Sequence, residues 1–140
     1  MMRKTAAGGG LLFAYGTLQD AELQRILFGA PCRMRKAALL DWTLHVASEG
    51  WLFIKPDPAG SVSGSLLELD AEALRTADLW EEIPTLYQRE KVAVRLADGG
   101  ELEAWAYTRR TAEGVPHSGG ALSLLRREDM LAALRRSVLN

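Results

Sequence analysis

The sequence predicts an α+β fold: helices and a mainly antiparallel sheet that is able to curl into a small barrel. Three observations carry this expectation. Strand-like segments outnumber helix-like ones. Two alternating runs flank Asp98-Gly99-Gly100, a hairpin signal, so hairpins dominate over βαβ units. The chain has 140 residues, 48% apolar and 25% charged, the size and balance of one globular domain with a real core.

The elements follow in order. Residues 1–10 end in Gly8-Gly9-Gly10 and are expected to be a flexible leader, leaving 11–140 as a single domain. Leu11 to Tyr15 is a short apolar run that predicts a buried strand, broken by Gly16. Asp20 is a suitable N-cap for a helix whose Leu23, Ile26 and Leu27 share a face, and Gly29 is a suitable C′ residue. Trp42, Leu44 and Val46 alternate within a strand over 37–46. Trp51 to Ile54 is a short apolar piece, and Pro56-Asp57-Pro58-Ala59-Gly60 predicts a turn after it. Val62 to Leu69 is the next strand, where Gly64 implies a bulge or a close backbone approach. Asp70 caps a helix from Ala71 to about Glu82, stopped by Pro84. The hairpin spans Tyr87–Leu96 and Glu101–Thr108. Gly114, Pro116, Gly119 and Gly120 predict a loop, and a last helix covers 121–138.

Composition narrows the function classes. Lys plus Arg is 17 and Asp plus Glu is 18, a net charge of −1, which gives no electrostatic drive toward nucleic acid or an anionic membrane. No apolar run approaches the ~18 residues of a membrane span. The single cysteine, Cys32, excludes an intrachain disulfide framework and suits a reducing, cytoplasmic location. Cys32 is read as a small packed residue rather than a nucleophile. His45 and His117 lie far apart and show no ligand spacing, so no metal is expected.

Two segments could carry chemistry. In Phe13-Ala14-Tyr15-Gly16-Thr17-Leu18 a strand runs into a glycine, a hydroxyl residue and a helix start. Backbone N–H groups at such a junction can bind a carboxylate or carbonyl oxygen; a plain turn is the alternative. The second is Trp80-Glu81-Glu82-Ile83-Pro84. On a wheel with Leu74 at zero and about 100° per residue, Ala77 falls near 300° and Glu81 near 340°, while Glu82 falls near 80° beside Arg75. Glu81 thus belongs to the apolar face and Glu82 to a polar one. An inward carboxylate is costly unless paired or used. A helix that frays before Glu81 would instead leave both acids in solvent.

These pieces together resemble the gamma-glutamylcyclotransferase-like (AIG2-like) family, nearest its bacterial and plant AIG2-like and gamma-glutamylamine cyclotransferase branch. Tyr15-Gly16-Thr17-Leu18 is similar to its Tyr-Gly-Ser/Thr-Leu signature, and Val62-Ser63-Gly64 to its Val-x-Gly strand. Asp78-Leu79-Trp80-Glu81 is similar to its Asp-x-aromatic-Glu element, and Tyr87-Gln88-Arg89-Glu90-Lys91-Val92 to its Tyr-x-Arg-x-x-Val strand. The motifs occur in the family's order over about residues 11–109.

The resemblance implies the family's small mixed barrel and a cavity between the Tyr-Gly-Thr-Leu loop and Glu81. It implies a cyclotransferase, an acyltransferase that releases 5-oxoproline from a gamma-glutamyl amine or amino acid without a cofactor. The substrate's alpha-amine attacks its own side-chain carbonyl, with Glu81 as general acid and base. Tyr15, Gly16, Thr17, Leu18 and Tyr87 become the candidate substrate-binding residues, with packing as the rival role for the two tyrosines. Arg89 is read as a strand-face charge rather than a substrate clamp. Two departures stand out. Glu82 replaces the glycine that usually follows the family's glutamate, and Trp51-Leu52 stands where a Tyr-Pro pair is frequent. A non-catalytic small-molecule-binding or accessory module of the same fold is the alternative.

Overall fold

A computed structural model of the chain describes residues 10–47, 51–80, 87–110 and 113–116. The expected leader over 1–9, Glu81 to Pro84, His117 and the expected helix over 121–138 lie outside the described residues. Strand β1 (Gly10–Ala14) leads through a 3-10 turn (Thr17–Gln19) into helix α1 (Ala21–Phe28). Strands β2 (Met34–Ala47) and β3 (Leu52–Leu69) follow, then α2 (Ala71–Trp80). The hairpin β4 (Gln88–Leu96) and β5 (Glu101–Thr108) comes next, and β6 (Gly114–Pro116) last.

Five strands close into a mixed barrel in the order β1, β3, β2, β4, β5, with β6 added beside β2. All neighbouring pairs are antiparallel except β1 and β5, where Leu12 faces Trp105 and Phe13 faces Ala106 in parallel. That parallel contact closes the barrel, so these five strands protect one another's edges.

Alternation along each strand serves two cores. Phe13, Leu39, Ile54, Leu66, Val94 and Ala106 fill the barrel. Their neighbours Leu12, Ala14, Phe53, Leu67 and Tyr107 face outward and pack with Leu23, Leu74 and Ala77 of the two helices.

Local chemistry explains the helices. Asp20 accepts hydrogen bonds from the N–H groups of Glu22 and Leu23 at 2.9 and 3.1 Å. Asp70 caps α2 by accepting from Ala73 N–H at 2.8 Å. Each such cap is worth about 1 kcal/mol. Gly29, with φ 87°, ends α1 as expected. In the hairpin, Asp98 Oδ1 accepts from Gly100 N–H at 2.8 Å and Gly99 N–H donates to Leu96 O at 2.9 Å.

Three expectations are corrected. Pro56–Gly60 does not reverse the chain; it lies inside the single 18-residue strand β3. Pairing with β2 passes from Leu40↔Ser61 to Trp42↔Pro56, so residues 57–60 bulge opposite Asp41 alone. The turn-forming residues still act locally: Asp57 Oδ1 accepts from Ala59 N–H at 3.1 Å, and Thr43 Oγ1 donates to Asp57 Oδ2 at 2.7 Å. Asp41 takes up the mismatch with φ 74°, a region that Asp tolerates better than most residues. Second, the segment expected as a loop around Gly114 and Pro116 forms β6, pairing Gly114 with Ala47 and Pro116 with His45. Third, Gly10 belongs to β1, opposite Leu69, and not to the leader. Gly64 behaves as expected: a Cβ there would lie 2.3 Å from Ala14 O and 2.8 Å from Phe13 Cζ.

Candidate active site

The Tyr-Gly-Thr-Leu segment leaves β1 at Ala14, opposite Ser65. The Tyr15 ring packs against the barrel core, and its hydroxyl donates to Tyr107 O at 2.8 Å. Gly16 opens the 3-10 turn: Gln19 N–H donates to Gly16 O at 3.2 Å and Asp20 N–H to Thr17 O at 2.9 Å. The first N–H groups of such a turn have no partner within it, so those of Gly16, Thr17 and Leu18 are the ones available to an acceptor.

The turn is held rigidly from behind. Leu18 is 3% exposed, and its carbonyl accepts from Gln24 Nε2 at 2.7 Å. Gln24 is fully buried, and its Oε1 accepts from Cys32 N–H at 2.8 Å. Ser65 Oγ donates to Gln19 Oε1 at 2.9 Å, and Gln19 Nε2 reaches Gly16 O at 3.3 Å. Gln24 and Ser65 were not singled out in the sequence. A glutamine beside the apolar positions of a short helix is the one signal that could have found the first.

Leu52 joins the loop to Tyr87. A Cβ on Gly16 would meet Leu52 Cδ1 at 3.9 Å, and the Tyr87 hydroxyl donates to Leu52 O at 2.6 Å. Of the two departures, Leu52 therefore stands directly against the loop. Arg109, noticed in the sequence only as half of a basic pair, lies 5.5 Å over both the Tyr87 and Phe53 rings. It puts a cation beside Tyr87.

Helix α2 buries Leu74 and Ala77, the face on which the wheel put the acid. Glu81 itself lies outside the described residues, as does Glu82. The last described turn of α2 is anchored by Asp78, whose Oδ1 accepts from the Tyr107 hydroxyl at 2.7 Å. Arg89 Nε stands 3.0 Å from the same oxygen, and the guanidinium sits 4.3 Å over Trp105. Arg89 thus forms an ion pair with the last described turn of α2.

Elsewhere, a cleft of about 300 Å³ lies by Phe28, Cys32, Leu69 and Asp70, near the Gly10–Leu69 pair rather than the Ala14 end of β1. Among the described residues no group of His, Cys, Asp and Glu is arranged to hold a metal ion. No described helix is long and apolar enough to cross a membrane.

Comparison with known proteins adds to this geometry. The family model "Gamma-glutamyl cyclotransferase, AIG2-like" matches residues 12–123. The chain is 27% identical over 116 residues to the gamma-glutamylaminecyclotransferase of Mus musculus, covering 71% of this chain and 78% of that protein. A solved structure of a gamma-glutamyl cyclotransferase superposes with a TM-score of 0.69 at 18% identity, covering 93% of this chain and 80% of the other. A solution structure from Arabidopsis thaliana gives a TM-score of 0.70 at 17% identity over 93% of this chain and 89% of that one. At these identities the solved structures establish the shared fold.

Proposed function

Because the chain belongs to the AIG2-like gamma-glutamyl cyclotransferase family, we propose that it releases 5-oxoproline from a gamma-glutamyl amine or amino acid, with Glu81 as general acid and base. The observation that supports this reading is the bridge through Tyr107. It ties the loop after β1 and the end of α2 to one end of the same barrel.

The reaction is an intramolecular acyl transfer. The substrate's alpha-amine forms a bond to its own gamma-carbonyl carbon, and the bond from that carbon to the leaving amine breaks. Holding the chain folded supplies proximity, for which effective molarities of ~10⁵–10⁸ M are known. A protonated amine cannot attack, so Glu81 takes its proton and later returns one to the leaving nitrogen. A free Glu carboxyl, with a pKa of ~4.3, is a poor base at neutral pH. One more helical turn past Ala77 would carry Glu81 to the buried Leu74–Ala77 face, where desolvation raises a carboxyl. The N–H groups of Gly16, Thr17 and Leu18 receive the substrate carboxylate or the developing oxyanion. One such donor is typically worth ~10²–10³-fold. Tyr15 and Tyr87 would border the substrate with the ring edges that core packing leaves free, while main-chain oxygens hold their hydroxyls.

The test is 5-oxoproline release from a panel of gamma-glutamyl amines and amino acids. Glu81→Gln should lower turnover by at least ~10²-fold without unfolding the chain. Glu82→Gly should keep most activity. A dead Glu82→Gly beside an active Glu81→Gln would move the catalytic acid by one residue. Chelators should leave turnover unchanged, because both proton steps belong to a carboxylate; loss restored by a divalent ion would refute that.

A further inference from the structure

Tyr107, 3% exposed near the end of β5, bonds in two directions. Its main-chain oxygen accepts the Tyr15 hydroxyl at 2.8 Å, and its own hydroxyl donates to Asp78 Oδ1 at 2.7 Å. Tyr15 precedes Gly16, and Asp78 is three residues before Glu81. One residue therefore links the two segments that the chemistry needs. The Asp78 oxygen is also fixed by Arg89 Nε at 3.0 Å, with both side chains 24% exposed. Arg89 in turn rests over Trp105, which shares its face of β5 with Tyr107. Hydrogen bonds to a carboxylate are roughly twice as strong as neutral ones, so two donors on one oxygen make a firm joint.

We infer that Tyr107 is a positioning residue: with Asp78 and Arg89 it sets the spacing between the Gly16–Leu18 loop and the last described turn of α2, which Glu81 follows in the chain. It acts on the rate of proton transfer and not on substrate affinity. The inference rests on the cyclotransferase reading above. A misplacement of about 1 Å can cost ~10²-fold in rate, so losing one hydroxyl has a measurable effect.

The experiment compares Tyr107→Phe, Asp78→Asn and Asp78→Ala with the parent chain. Tyr107→Phe should lower kcat by ~10-fold or more with KM changed less than about twofold. Asp78→Asn retains an acceptor for the hydroxyl and should recover part of the kcat that Asp78→Ala loses. In parallel, the carboxyl carbon resonance of isotopically labelled Glu81, identified by its loss in Glu81→Gln, should move in Tyr107→Phe. An unchanged kcat, a raised KM at constant kcat, or an unmoved resonance overturns the inference. If the parent chain releases no 5-oxoproline from any gamma-glutamyl compound, the cyclotransferase reading falls. The resonance then decides alone whether Tyr107 positions Glu81, movement upholding it and constancy overturning it.

Discussion

Cys32 shows how an environment sets the behaviour of a single side chain. Burial first, and the nearby charge of Asp70 second, push its thiol from the ordinary 9.0 up to about 11. Both effects disfavour the thiolate, the reactive form. At pH 8 the thiolate fraction should be about 100-fold below that of an ordinary cysteine, and alkylation slower by a similar factor. Alkylation as fast as that of a free thiol would contradict the assigned environment. The folded state prefers the neutral thiol, so this contribution to stability is complete below pH 9 and is lost as pH rises toward 11. Glycines separate folding from function at the same scale. Gly64→Ala would press a Cβ 2.3 Å from Ala14 O, and should cost at least about 2 kcal/mol in chemical denaturation. Gly16→Ala meets nothing nearer than Leu52 Cδ1 at 3.9 Å, so the fold should tolerate it. Any loss of turnover in Gly16→Ala then reports on space needed by substrate. Gly64 was legible because a glycine weakens a strand interior and is kept there where a bulge or a close backbone approach demands it.

Elements were legible where their signals are local. The caps at Asp20 and Asp70 and the Asp98-Gly99-Gly100 hairpin each depend on residues within four positions of one another, and each formed as expected. β3 was not legible as one strand. Its Pro56–Gly60 segment has the composition of a turn, and only pairing with β2 on both sides of the bulge keeps the chain going forward. β6 was missed for a related reason: three residues, Gly114–Pro116, carry no periodicity, and β2 supplies the pairing. The end of β5 is secured by a different device. Glu90 accepts from Arg110 Nε at 2.9 Å and Nη2 at 2.8 Å, and from Thr108 Oγ1 at 2.6 Å. Arg110 above all, with help from Thr108, holds the Glu90 carboxyl below the usual range, although partial burial opposes them. A carboxyl lowered by folding adds stability above its unfolded value of ~4.3, and that stability is lost as pH falls through the folded value. Glu90→Gln should therefore cost about 1 kcal/mol at pH 7 and much less near pH 3. An equal deficit at both pH values would argue for lost packing instead of lost charge.

For the whole molecule, two facts about connectivity lay beyond the sequence. The parallel β1–β5 pairing joins residues far apart in the chain and has no local code. The Tyr107–Asp78 bond likewise spans 29 residues and joins a strand to a helix. Motif residues such as Tyr15 and Gly16 could be named from a resemblance, but the tyrosine that holds them to α2 could not. The same wiring has a thermodynamic consequence. β1 puts Phe13 in the barrel core and Leu12 in the helix-facing core, and β5 does the same with Ala106 and Tyr107. Adjacent residues thus serve both cores, and neither can loosen without disturbing the strands of the other. Leu39, fully buried in the barrel, and Leu74, 2% exposed under α2, probe one core each. Leu39→Ala and Leu74→Ala should each cost about 2–5 kcal/mol. Each should lower Tm by roughly 10 °C for a domain of this size. Both variants should melt in one transition, with helical circular dichroism and tryptophan fluorescence changing together. An early loss of helix signal in Leu74→Ala, ahead of the fluorescence change, would mean that the helical layer is a separate cooperative unit. The loop and the end of α2 would then be joined only as firmly as that layer is docked, and Tyr107 would carry the connection alone.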